Sequence, residues 1–476
     1  MHYRIISFLY IIVTCTIVSS CNFSPKYVRD LSLFKEKKEF ENALQKKVSI
    51  ETLVNWWDRL NDPLTSRLVK KLLTQNLTLK EASERVFQAR AAASISKASK
   101  MPNITLDNSA SRRFTTVTSL PDGAKKKVYT NSYATDLGVS WQLDLFGKLR
   151  SANDAAKANA LAAEYDLQGI TQTLIAELVY RRVSVYLNNK LLQLALENTK
   201  NAKKLYITTK KRYELGSSSI KLADLYLVKE NYESSKKDIY QYRRLVADEM
   251  YKLDILLAQI PGTITKASLA RRVNLPKSIN VTALPMQLLD RRPDLKSAEI
   301  KIVAANANIG VAIADLFPNF FINSGINYDS DKLGNLFNSE NMSGSILGKI
   351  TTKIFTGGAL RSNIKIQESK ARELSLNYSN KILSAIGEVE SNLKAEQENM
   401  HEYKAQKGSL KLFELTRQQS DIRYLRGIGT LAKLLENKRK TYNANKLLIA
   451  SERALWKSRL DLYLSLGGDW LDKDKN

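Results

Sequence analysis

"RYELGSSSIKLADLY" occupies Arg212–Tyr226 and "RYLRGIGTLAKLLEN" occupies Arg423–Asn437. Each opens with Arg-Tyr-x-x-Gly and interrupts an otherwise continuous helical pattern. The two arginines are 211 residues apart, and so are Gly216 and Gly427. Two such similar breaks at one offset predict a chain built as a repeat.

The flanks predict long helices. Prolines are absent from 122–260 and from 319–476, and a proline inside a helix costs about 3 kcal/mol. From Lys148 to Leu215 the chain runs 68 residues with one glycine, Gly169; unbroken, such a helix spans about 100 Å. Leu187, Leu191, Leu194, Ala202 and Leu205 form the stripe of a packed helix, and Leu431, Leu434, Leu435 and Lys438 continue it beyond the second break. The repeat reaches further. "LKEA" at 79–82 matches "LKSA" at 295–298, and Pro102 matches Pro318, both at an offset of 216. Arg150 and Arg361, in "DLFGKLRS" and "KIFTGGALRS", return to 211. The register therefore shifts by five between proline and arginine, which places an exposed loop of variable length in each interval.

In those intervals the pattern changes to period two. Leu137, Val139, Trp141 and Leu143 alternate with Asp136, Gly138, Ser140 and Gln142; Ile346, Ile350 and Ile354 are set against Lys349, Thr351 and Lys353. Strands are expected at about 103–113, 128–144, 319–328 and 343–355. Four half-buried strands of a soluble sheet fit this alternation, and so do four strands of a membrane barrel; strand lengths of about ten residues in a secreted chain favour the barrel. Four strands cannot close on themselves, an open edge is not tolerated in lipid, and closed barrels begin at about eight strands. The membrane reading thus requires several chains to share one barrel.

The N-terminus reads as a secretion signal over residues 1–20: Arg4, a 14-residue apolar run "IISFLYIIVTCTIV", then Ser19 and Ser20. A membrane span needs about 20 residues. "VSSC" resembles a bacterial lipoprotein cleavage box, which makes Cys21 the acylated first residue; Asn22 after it fits outer-membrane sorting. With Cys15 removed, Cys21 is the sole cysteine and forms no intrachain disulfide. The net charge is +26, but Lys and Arg are spread through every segment, so a solvated basic surface is expected and no nucleic-acid stripe. His2 and His401 are the only histidines. That leaves no His/Cys metal site, and neither a Ser-His-Asp set nor a phosphate loop is apparent. A non-enzymatic protein without cofactor is expected.

"WWDRLNDPLTSRLVKKLLTQNLTLKEASERVFQARA", "VSWQLDLFGKLRSA", "LLDRRPDLKSAEIKIVAANANIGVAIADLFPNF", "IFTGGALRS" and the two Arg-Tyr-x-x-Gly segments resemble the outer-membrane factor of tripartite efflux pumps, over nearly the whole mature chain. The similarity is to the lipoprotein branch, NodT- and OprM-like, of the TolC superfamily; "DRRPDLKSAE" and "LDLFGKLR" are its more specific motifs. The resemblance implies a mainly α fold with a small β part: coiled-coil hairpins forming a periplasmic tunnel, and four membrane strands per chain completing a 12-stranded barrel in a homotrimer. The first structural repeat is then 21–261, with a tip near 212–225; a linker follows at 262–284; the second repeat is 285–476, with a tip near 423–436. It also implies an exit duct in the outer membrane, lipid-anchored at the N-terminus and largely periplasmic, that passes small molecules such as drugs or toxic compounds. Its partners are a periplasmic adaptor and an inner-membrane pump of the RND type. A duct for type I protein secretion shares this architecture, and a pore-free periplasmic coiled-coil lipoprotein is the alternative of another class. By the same resemblance, Arg212, Tyr213, Gly216, Arg423, Tyr424, Gly427 and Gly429 lie at adaptor-docking tips. Lys433 and Glu436 fall on two positions of the periplasmic aperture, the first of which is acidic in some relatives. Converging Glu436 carboxylates would repel and raise their pKa, and a nearby lysine would relieve that repulsion. Lys433, Glu436 and Lys440 also share one helix face, so a surface charge ladder reads equally well.

Overall fold

The computed structural model describes residues 23–29, 40–41, 56–60, 62–118, 125–264, 272–273 and 289–468. The expected signal segment, Cys21 and most of the expected linker at 262–284 lie outside the described residues. The elements run α1 Pro63–Gln75, α2 Leu77–Ala98, β1 Asn103–Thr118, β2 Lys125–Leu143, α3 Lys148–Glu214, α4 Leu222–Leu256, α5 Pro293–Ala314, β3 Asn319–Ser330, β4 Met342–Thr351, α6 Ala359–Leu425 and α7 Leu431–Ser465. The fold is mostly helical with one small antiparallel sheet. Lengths match between the halves: α2 and α5 have 22 residues each, α3 and α6 have 67, α4 and α7 have 35. Two compact units emerge. One takes the described residues up to Arg29 with Arg85–Glu164 and Ser297–Ser379, and the other takes the remainder.

The first unit carries the sheet, ordered β1-β2-β3-β4, with β2 and β3 joining the two halves of the chain. The register stacks Ile104 on Val139 and Leu106 on Leu137; Leu137 lies against Ile326, Trp141 against Ile322, and Phe320 against Ile350. Directly opposed residues share a face, so these side chains make one apolar surface across four strands. It is open: Ile104 is 66% exposed and Ile346 83%. Aromatic residues border it, with Trp141 and Phe320 at one end and Tyr133 and Tyr328 at the other. The opposite face is polar, with Asp107, Asp136, Asn323 and Asn327. The largest departures from the expected strand bounds are at the ends of β1 and β4. β1 continues five residues past 113 because Phe114 pairs with Tyr129 and Thr116 with Lys127. β4 stops at Thr351, opposite Asn319, because Pro318 before it has no N–H to extend the ladder. At the sheet base, the Phe317 ring stacks between Phe23 and Phe146, each 4.8 Å away. Gly310 of α5 lets the N-terminal strap pass, since a Cβ there would collide with Ser24. Arg29 then grips Glu299 through two bonds of 2.7 Å.

In the second unit, Asp62 caps α1, accepting from the Leu64 N–H at 3.2 Å and the Thr65 hydroxyl at 2.8 Å. The same carboxylate lies 3.5 Å from the fully buried Arg182 guanidinium. Arg459 of α7 is likewise fully buried and paired with Glu396 of α6. Leu192 and Ala195 of α3 pack on Tyr242 of α4; of the stripe expected on α3, Leu191 flanks this seam, Leu187 and Ala202 are buried, and Leu205 flanks a separate cluster with Val228, Leu431 and Leu434.

Candidate functional site

Both Arg-Tyr-x-x-Gly motifs end a helix by one mechanism. At the end of α3, Gly216 has φ +75°, its N–H donates to the Tyr213 carbonyl at 3.0 Å, and the Ser217 N–H donates to the Arg212 carbonyl at 3.1 Å. At the end of α6, Gly427 has φ +76°, its N–H donates to the Tyr424 carbonyl at 3.1 Å, and the Ile428 N–H donates to the Arg423 carbonyl at 3.1 Å. This is the Schellman arrangement: Arg and Tyr supply two of the four carbonyls that a helix end leaves unpaired, and glycine supplies the left-handed residue. Gly429 has a different reason. A Cβ there would sit 3.1 Å from the Tyr424 backbone nitrogen and 3.2 Å from the Arg423 carbonyl carbon. The return helices are capped differently. Thr430 accepts from the Lys433 N–H at 3.3 Å, whereas the Lys221 N–H donates to the Asp224 carboxylate at 2.9 Å.

The two tips pack together. Val228 of α4 and Leu431 and Leu434 of α7 form a buried cluster, flanked by Leu205 and Tyr206 of α3, Leu225 of α4, Tyr424 of α6 and Leu435 of α7. Tyr424 is therefore half-buried, while Arg212, Tyr213 and Arg423 remain exposed. Asp421 of α6 forms an ion pair with Lys438 of α7 at 3.2 Å and, within α6, accepts from Arg417 at 2.8 Å. Asp238 of α4 accepts from the Tyr442 hydroxyl at 2.7 Å and Lys446 at 3.3 Å, both on α7. The loss of proton from Tyr442 is correspondingly pushed well above the usual phenol range, by burial first and then by that carboxylate.

Lys433 and Lys440 both reach Glu436, at 3.0 and 2.7 Å. The hydrogen bond from Lys440, followed by that from Lys433, lowers the Glu436 pKa to about 2. Within one chain the shift is therefore downward, opposite to what converging carboxylates alone would give. Sequence reasoning missed Gly429's close approach, the Thr430 cap and the Asp421–Lys438 link. The Gly-x-Gly-Thr string was the visible signal for the first two; an ion pair 17 residues apart has none. Among the described residues, no group of three His, Cys, Asp or Glu side chains could hold a metal ion.

CusC, the cation efflux system protein of Escherichia coli O6:H1, is 28% identical over 95% of this chain and 96% of its own length. The toluene efflux pump outer membrane protein TtgC of Pseudomonas putida is 28% identical over 88% and 86%. The Campylobacter jejuni CmeC outer membrane channel superposes with a TM-score of 0.84 at 22% identity, covering 94% of this chain and 95% of that one, a likeness of fold. The description "outer membrane efflux protein" matches residues 68–258 and 284–468, both halves and both tips, and on that match the chain belongs to the outer membrane efflux protein family.

Proposed function

We infer that this chain is the outer-membrane exit duct of a tripartite efflux pump, in which three copies complete one 12-stranded barrel. The observation that carries the reading is the four-stranded sheet with an exposed apolar face and, at β1 and β4, two edges unpaired among the described residues. A sheet edge exposes backbone N–H and C=O groups that lipid cannot satisfy, so β4 of one copy pairs with β1 of the next. Matched element lengths in the two halves support a duplicated unit, 21–261 and 285–476, joined by 262–284. Cys21 is acylated, and the acyl chains tether the N-terminus to the membrane. An adaptor docks at Arg212, Tyr213, Gly216, Arg423, Tyr424, Gly427 and Gly429, and an RND-type inner-membrane pump supplies the energy. Cargo is small molecules such as drugs or toxic compounds, and Lys433 and Glu436 line the resting periplasmic aperture.

Planar-bilayer recording tests both parts. The purified chain should conduct in discrete steps, and the double variant Lys433→Ala, Glu436→Ala should conduct more than the parent. Absence of any steps removes the duct; steps of unchanged size in the variant remove only the aperture assignment.

A further inference from the structure

The tips carry charge as well as backbone geometry. Segments 203–230 and 417–440 hold fourteen basic and five acidic side chains. Several of the cations are already paired, Lys433 and Lys440 with Glu436, Arg417 and Lys438 with Asp421, Lys210 with Glu214. At the turns themselves, Lys211, Arg212, Lys221, Arg423 and Arg426 are exposed and form no salt bridge among the described residues. Between them project Leu215 at 76% exposure, Leu425 at 83% and Ile428 at 63%. An apolar end rimmed by like charges is unfavourable alone: the cations repel and the leucines face water. Both costs are relieved by one kind of surface, apolar at its centre and carboxylate-rich at its rim.

We propose that the paired tips bind an acidic protein end, in which leucine-class side chains are flanked by Glu and Asp. The inference rests on the docking reading above and adds the chemistry of the partner. The attraction is long-ranged and exposed, so salt screens it.

The test uses the full-length protein in lipid nanodiscs and two designed helical hairpins that share a leucine-bearing loop. One has Glu on its flanks and the other Lys. By fluorescence anisotropy the Glu hairpin should bind at low salt and weaken about tenfold or more when NaCl is raised from roughly 50 to 500 mM. The variant K211E/R212E/R423E/R426E should reverse the preference, binding the Lys hairpin instead. The carbonyls closing both turns are backbone groups, so hydrogen exchange at Ser217 and Ile428 should stay unchanged in that variant and certify its fold. Equal binding of the two hairpins, no effect of charge reversal, or competition by phosphatidylglycerol vesicles overturns the acidic-protein assignment while leaving docking intact. A photo-crosslinker at Leu215 and Leu425 in intact cells separates the two readings. Capture of a carboxylate-rich segment supports the proposal and capture of a neutral or basic one refutes it. Capture of nothing, with no hairpin bound, removes docking itself.

Discussion

Replacing Gly427 by alanine isolates what the tip geometry costs. No heavy atom lies within 4 Å of a Cβ built there, so the penalty is conformational and not steric crowding from neighbours. At φ +76° an L residue pays about 1–2 kcal/mol. Two hydrogen bonds depend on that backbone, Gly427 N–H to Tyr424 and Ile428 N–H to Arg423, each 3.1 Å. If the penalty falls on the closed turn, the opening equilibrium rises by a factor of about 5–30. Hydrogen exchange at the 427 and 428 amides should accelerate by that factor, while amides in β2 keep the parent rate. Asparagine tolerates the left-handed region and should accelerate exchange less than alanine; valine should accelerate it more. Gly216→Ala should reproduce the effect at Ser217, whose bond to Arg212 is its counterpart. Unchanged exchange at residues 427 and 428 in the alanine variant would show that the Arg-Tyr-x-x-Gly motif is not held by its left-handed glycine.

Three further outcomes follow from the geometry. Glu436 is held down to about 2 by Lys440 and Lys433, so the pairing is fully present above the ordinary carboxylate pKa and is lost only as pH falls from about 4.5 towards 2; a carboxyl ¹³C titration should place the midpoint near 2, Lys440→Ala should raise it, and a parent midpoint near 4.5 would contradict the triad. Asp62→Ala removes both the α1 cap and the carboxylate 3.5 Å from the buried Arg182 guanidinium, and chemical denaturation followed by tryptophan fluorescence should show a loss of about 3–5 kcal/mol, with a loss under about 1 kcal/mol counting against the pair. Gly310→Val should push the strap off α5 at Ser24, so that trypsin cuts after Lys26 faster than in the parent; equal cleavage rates would mean the strap is held without that contact.

Much of this was legible in the residues. The offset of 211 between Arg212 and Arg423 reappears as helices α3 and α6 of equal length, because proline-free stretches without competing caps leave only the glycine turns to end a helix. Alternation gave the faces of β2 and β4 correctly, since period two is the strand's own geometry. Strand ends were less legible. Whether Ile354 belongs to β4 depends on which β4 residue faces Asn319, the first of β3, and the register between two strands is not encoded locally. Long-range polar pairs were illegible for the same reason: Asp238 meets Tyr442 across 204 residues, and Arg29 meets Glu299 across 270. The meaning of Lys433 was half legible. Its helix face was readable from spacing, but not that both it and Lys440 would close on one carboxylate.

Among the described residues the sheet has four strands, an apolar face open to its surroundings and two free edges, and everything proposed for the duct depends on neighbouring copies covering those edges. Native mass measurement of the assembly extracted from outer membranes addresses this directly. A particle of three chains is expected, each carrying an acylated N-terminal peptide beginning at Cys21. A water-soluble particle of one chain would contradict the shared barrel and the duct with it.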